Sequence, residues 1–201
     1  VQDPRERPMD KREEAERMHR TFYSENSDFL TLLNIWNAFH EALDAMTQNQ
    51  LRRFCKKHFL SYQRMREWRD IHHQLERVLK EMKLLDKGAH ADAEYHQIHR
   101  SLLTGLLGNI AERDMGNHYR ATHNRNVMVF PGSTLFDKQA AKAERKKFKG
   151  QQKPTNSSGK RTPKWIMCGE WSETTRLYAR NCASIEMPWI SELASHILKK
   201  K

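Results

Sequence analysis

Ser157-Ser158-Gly159-Lys160-Arg161-Thr162 ends like a phosphate-binding loop, in which backbone amides wrap a polyphosphate, a lysine neutralises it and a hydroxyl holds magnesium. The spacing fails. Pro154 stands at the early-glycine position and Arg161 where the hydroxyl is needed, and a proline has no N–H to offer a phosphate. The stretch reads instead as the tip of a basic loop. The 11 histidines raise the question of a metal. His72 and His73 are adjacent, His96 and His99 share a helical face, and Cys55 lies three before His58, yet no three or four ligands fall at a zinc spacing and there is no H-E-x-x-H. With no nucleophile elbow, Cys/His signature or paired-carboxylate motif, the chain is expected to carry no catalytic residues, cofactor or metal of its own.

What remains is cations interleaved with rings, the combination that holds a single-stranded nucleic acid: charges track phosphates and aromatic faces stack on bases. The rings of the second half are Tyr119, Phe130, Trp165, Trp171 and Tyr178. Phe130 and Trp165 are expected in a core. Tyr178, between Arg176 and Arg180, shares their face under strand alternation and is the stronger candidate. Net charge is +11, and the stretch from Asp137 to Lys164 holds ten basic residues against Asp137 and Glu144. Most of the excess is therefore local, which suits an anionic partner, RNA contact and a merely solvated insertion being both open. Three widely spaced cysteines fit a reducing compartment, and no stretch has the length of a membrane span or the apolar core of a signal peptide. A cytoplasmic protein with no membrane partner is expected.

The elements that must position these residues change character along the chain. Asp10 with Glu13 forms a capping-box pattern before a helix to about Tyr23. Ser27 or Asp28 can cap a second helix bearing Phe29, Leu32, Leu33, Trp36, Phe39, Leu43 and Met46 on one face. Thr47 with Gln50 opens a third, with Leu51, Phe54 and Cys55 inward. A fourth, from Ser61 to a stop near Gly88, carries Met65, Trp68, Ile71, Leu75, Val78, Leu79 and Met82 at spacings of three and four. Four such faces predict a bundle. A further helix spans about Asp92 to Leu107. After Asn117 short β-prone runs take over: 118–122, 127–130, 164–168 and 176–180. Lys138 to Lys149 can form an exposed helix, Gly150 to Pro163 has loop composition, and Pro188 opens a last helix through Ile197 and Leu198 that closes on Lys199, Lys200 and Lys201.

DPRERPMDKREEAERMHR, SDFLTLLNIWNAF, FCKKHFLSYQRMREWRDIHHQL, LLTGLLGNIAERD, FPGSTLF and WSETTRLYARNCASIEMPWI, in this order over nearly the whole chain, closely resemble the C-terminal region of DEAH-box RNA helicases, with Arg66 to Ile71 similar to the bacterial HrpA-type branch. The resemblance implies an α+β chain: residues 1–90 as part of the helical, ratchet-like helicase-associated domain, and 91–201 as a five-stranded oligonucleotide-binding (OB) barrel with a C-terminal helix and a basic insertion at 137–163. In that family two RecA-like domains hydrolyse NTP, with ATP and Mg as their ligands, and draw single-stranded RNA through a channel roofed by these accessory parts. Neither RecA-like domain nor the winged helix is expected here, so the chain reads as an excised piece without ATPase motifs. Its implied partners are single-stranded RNA and the RecA-like domains of the same polypeptide.

Carried over by residue, the family's asparagine-aromatic-leucine pattern falls on His58-Phe59-Leu60, and the channel-facing positions on His58, Ser61 and Gln63. Here His58 replaces an asparagine and Gln63 an arginine of many relatives, with Arg64 and Arg66 near enough to supply charge. The family's proline-serine turn falls on Phe130-Pro131-Gly132-Ser133, and its threonine-serine-basic-x-aromatic strand on Thr174-Thr175-Arg176-Leu177-Tyr178. The RNA-binding set so assembled is His58, Ser61, Gln63, Arg64, Arg66, Ser133, Lys164, Thr174, Thr175, Arg176, Tyr178 and Arg180. The alternative function is a docking platform for a protein or ribosome partner, since OB surfaces serve both purposes.

Overall fold

The computed structural model describes residues 2–85, 93–148 and 162–193. The expected stop at Gly88, the loop tip Ser157 to Arg161 and the final Ile197 to Lys201 lie outside them. Two compact units divide the chain: Val1–Tyr23 with Leu30–Asp92, and Ser24–Phe29 with Ala93–Lys201.

The first unit is helical: a 3-10 turn at Met9–Lys11 leads into α1 (Arg12–Arg20), followed by α2 (Asp28–Ala45), α3 (Gln48–Lys57) and α4 (Tyr62–Glu81), with Asp28 and Phe29 of α2 counted in the second unit. Phe22, Ile35, Phe39, Ala42, Leu51, Cys55, Leu60 and Met65 form its core. The buried stripe of α2 is rotated from the expected one: Ile35 and Ala42 are inside, whereas Leu33 and Met46 are 40% and 41% exposed. The capping box at Thr47 and Gln50 forms, the Thr47 amide donating to Gln50 Oε1 at 2.9 Å. That expected at Asp10 does not: the 3-10 turn takes up Asp10, and α1 starts at Arg12 behind Lys11, which makes no side-chain cap.

Only the start of α4 is packed as the bundle pattern predicted. Met65 is fully buried, but Leu75, Val78 and Met82 are 60%, 49% and 60% exposed. A helical period reports that one face is apolar, not that this chain covers it.

In the second unit, α5 (Tyr95–Gly105) precedes β1 (Ile110–Met115), β2 (His118–Ala121), β3 (Asn126–Val129), α6 (Lys138–Phe148), β4 (Trp165–Glu173), β5 (Leu177–Ile185) and α7 (Met187–Leu193). The strands close into a barrel in the order β1-β2-β3-β5-β4; β3 and β5 run parallel and all other neighbours antiparallel. The fold is thus the α+β arrangement that the resemblance implied. The residue pattern alone had missed β1, because only Ile110 and Ala111 of that strand are buried, Glu112 is half-buried, and Arg113, Asp114 and Met115 are exposed. It had also cut β4 and β5 to five residues each, where both run to nine.

The barrel interior is filled by Ala111, Tyr119, Ala121, Val127, Val129, Leu135, Ile166, Cys168, Ala179 and Cys182. A second cluster, Leu103, Ile110, Met167, Ala183, Ile185 and Ile190, joins barrel to α5 and α7 and takes Trp165 against it. Asn181, at φ +53, interrupts the inside-outside alternation of β5 and turns both Cys182 and Ala183 inward to different clusters.

Candidate nucleic-acid interface

On the barrel, β5 sends Ala179 inward and Tyr178 and Arg180 to the outer face. Phe130, just past β3, stands edge-on to Tyr178 with ring centroids 5.9 Å apart, and the Arg180 guanidinium lies 3.9 Å over the Phe130 ring. Phe130 therefore belongs to an outer cluster and not to the core where it was expected; its alternation with inward Val127 and Val129 was the available signal. Trp165 does pack inward, as expected. The Arg180 Nε is buried with no hydrogen-bond partner among the described residues, so the guanidinium is held by the ring while its other nitrogens remain able to donate.

Thr174, Thr175 and Arg176 are exposed in the tight β4–β5 connection, closed by the Thr174 amide donating to the Arg176 carbonyl at 3.0 Å. Arg176 precedes β5, so strand alternation does not place it with Tyr178. Lys164 is exposed just before β4, with Nζ 3.6 Å from Glu112 Oε1. Ser133 is engaged internally: its hydroxyl donates to Asp28 Oδ2 at 2.6 Å and accepts from the Leu135 amide at 3.2 Å. Sequence reasoning had cast Asp28 as a helix cap; it is the buried anchor of this turn.

In the helical unit, Ser61 opens α4 and its amide donates to the Pro4 carbonyl at 2.8 Å. Ser61, Gln63 and Arg64 line an open polar depression of about 650 Å³ together with Gln2 and Glu67. Gln63 donates to Glu67 Oε1 at 3.1 Å and Arg64 to the Asp3 carbonyl at 2.8 Å. Arg66 is exposed but does not line it. His58 ends α3, with Nδ1–H donating to the Phe54 carbonyl at 2.9 Å and its ring against Phe54 and Phe22. The structure thus brings three of the five helical-unit candidates to one concavity, and Tyr178 and Arg180 to one barrel patch.

One pair has the look of hydrolytic chemistry: Ser27 Oγ lies 2.7 Å from His99 Nε2. His99 Nδ1–H donates to the Tyr95 carbonyl at 2.6 Å, so Nε2 accepts the serine proton. Both residues are fully buried, burial pushes the His99 pKa down, and the Nδ1 partner is a carbonyl rather than a carboxylate. No substrate can reach this pair. Among the described residues no group of three or more His, Cys, Asp or Glu could hold a metal, and no helix is long and apolar enough to cross a membrane.

The closed β1-β2-β3-β5-β4 barrel is an OB-like fold, and residues 98–197 match the family described as oligonucleotide/oligosaccharide-binding (OB)-fold. Over all 201 residues the chain is 38% identical to the ATP-dependent RNA helicase HrpA of Escherichia coli (strain K12) and 39% identical to its homolog from Haemophilus influenzae. It is 26% identical over 194 residues to the human probable ATP-dependent RNA helicase DHX35. The chain fits a C-terminal region of a HrpA-type DEAH-box RNA helicase. It spans 14% of the length of the two bacterial relatives and 23% of the human one.

Proposed function

We propose that the chain is the RNA-binding accessory region of an ATP-dependent DEAH-box RNA helicase, guiding single-stranded RNA for RecA-like motor domains of the same polypeptide. Those domains would bring the ATP and Mg chemistry; this region's part is mechanical, and residues 1–90 serve it as a portion of the helicase-associated helical domain. A cytoplasmic setting follows from that role. The observation that carries the reading is the Phe130, Tyr178 and Arg180 cluster on the outer barrel face. A ring able to stack and a cation held beside it are what a sequence-tolerant single-strand site requires. Arg176, Thr174 and Thr175 at the β4–β5 turn extend it, with Lys164 as a further exposed cation, while Ser133 serves by holding the turn after Phe130 through Asp28; His58, Ser61, Gln63, Arg64 and Arg66 contribute a second contact in the helical unit.

The test is titration of a labelled, unstructured single-stranded RNA with wild type and with Tyr178→Ala/Arg180→Ala. Loss of one stacked base should weaken binding by about 1–3 kcal/mol, and removing the arginine should make the salt dependence shallower. Unchanged affinity in the double variant would sink the reading.

One observation favours docking of a protein or ribosome partner as a second function: the exposed row Ile71, Leu75, Val78, Leu79 and Met82 along α4. Binding through that row would resist salt, whereas phosphate contacts would not.

A further inference from the structure

The basic segment begins as a helix held firmly on the barrel. Asp137 caps α6, its Oδ1 accepting from the amides of Gln139 at 2.8 Å and Ala140 at 3.0 Å. The buried Asn117 side chain grips the Asp137 backbone from both sides, donating to its carbonyl at 2.8 Å and accepting from its amide at 2.7 Å. Two turns beyond Asp137, Glu144 Oε2 accepts from His118 Nε2 at 3.3 Å. The β1–β2 turn meets the helix at Gly116, where a Cβ would lie 2.8 Å from Glu144 Oε1 and 3.4 Å from Ala140 Cβ. Ala140 and Glu144 thus form the docking face.

The opposite face is cationic. Lys142, Arg145 and Lys146 are exposed, fall within about 100° of arc at 3.6 residues per turn, and have no acidic partner among the described residues. A row of three cations whose position is set by the barrel is unlike a solvated tail, and no acidic side chain among the described residues takes up its charge.

Strand register says where that row sits. His118 pairs with Met128, Met128 with Tyr178 and Tyr178 with Ser172. Paired residues share a face, and their neighbours Tyr119, Val127 and Ala179 point into the core, so His118, Met128 and Tyr178 form one outward row across β2, β3 and β5. The histidine that holds α6 is two strands from Tyr178, about 10 Å across the sheet at ordinary strand spacing.

We propose that α6 is a phosphate clamp for single-stranded RNA: a strand stacked at Tyr178 crosses Met128 toward His118, and its backbone is taken up there by Lys142, Arg145 and Lys146. The proposal rests on the RNA-binding reading above and adds a second contact to it. Without α6 the barrel face would engage only a short stretch; with it the footprint lengthens toward the β1–β2 turn.

The test compares wild type, Lys142→Ala/Arg145→Ala/Lys146→Ala and Tyr178→Ala/Arg180→Ala on labelled oligouridylates of roughly 6 and roughly 20 nucleotides, inside and beyond the site size of a single OB barrel. Salt is varied between about 50 and about 200 mM. The triple variant should bind the short RNA as wild type does. On the long RNA it should lose affinity at low salt, with the slope of log K against log salt reduced by about 2, as expected for three lost single-strand phosphate contacts. Lys142→Arg/Lys146→Arg should retain wild-type binding, and matching thermal melts would confirm that α6 stays docked. If the triple variant equals wild type on the long RNA while Tyr178→Ala/Arg180→Ala is weakened, the clamp is overturned and the barrel reading stands; the basic face would then belong to an acidic protein surface. If wild type binds neither RNA, both fall.

Discussion

The Asp28 carboxylate accepts a hydrogen bond from the Cys182 amide at 2.8 Å, across 154 residues of chain. The same group accepts from the Thr134 amide at 2.7 Å, the Thr134 hydroxyl at 2.9 Å and the Ser133 hydroxyl at 2.6 Å. One buried side chain at the start of α2 therefore fixes both the turn after Phe130 and the point in β5 where Asn181 breaks the alternation. The two flank the Phe130, Tyr178 and Arg180 patch.

Asp28→Ala would strand several buried donors at once. At about 1–3 kcal/mol for each unsatisfied group, a loss of about 3 kcal/mol or more is expected in urea unfolding followed by far-ultraviolet circular dichroism. Asp28→Asn, which presents an N–H where only acceptors are satisfied, should recover little of it. A change under about 1 kcal/mol in either variant would contradict the anchoring role.

Gly116 has φ +56 and lies against α6. Gly116→Ala meets two penalties: left-handed backbone costs an L-residue about 1–2 kcal/mol, and the new methyl must displace the Glu144 carboxylate. Thermal melts should show the destabilisation, and amide exchange in 138–146 should quicken as the helix loosens from the turn.

Burial lowers the pKa of His99, and of His19 in the helical unit, whose Nε2–H donates to the Phe59 carbonyl at 3.0 Å. A depressed folded pKa means that the unfolded chain takes up the proton first. Each histidine's contribution is thus fully present above the ordinary value of 6.5 and is lost as pH falls from there through the folded pKa. Stability should be flat with respect to these groups from pH 7 upward and fall below 6.5 with a slope of at most about 1.4 kcal/mol per pH unit for each. His99→Gln should be less stable at neutral pH but show a shallower acid loss, a difference that urea midpoints at neutral and mildly acidic pH would resolve.

Cys55, Cys168 and Cys182 are buried, and desolvation raises the Cys55 thiol to about 11 and the Cys168 thiol to about 12; burial and the nearby Asp28 charge also push the Cys182 thiol well up. The thiolate is the reactive form. All three should resist a neutral disulfide reagent in the native protein and react together on unfolding. Rapid labelling of any one without unfolding would contradict this packing.

Much of the fold was legible from residue pattern because it depends on local rules. The Thr47 and Gln50 cap, the helix from Lys138 and the alternation of Val127 and Val129 each follow from neighbours a few positions apart. β1 was not legible, since a strand whose outer half faces solvent carries no apolar alternation. The rotated face of α2 and the uncovered face of α4 were misread for a related reason: an apolar stripe does not say which of its members find a partner.

By itself the sequence determined the helical-then-β order, the absence of a phosphate-binding loop spacing at Gly159, the concentration of positive charge after Asp137 and the resemblance that named the barrel. Only the tertiary structure decided that Phe130 lies outside the core beneath Arg180, that Ser133 is held by Asp28, and that α6 is fastened to the row that leads to Tyr178. The physical reason is range. Propensity, capping and charge act over a few residues, whereas these relationships join positions from 26 to 105 residues apart, and only strand register and packing bring them together.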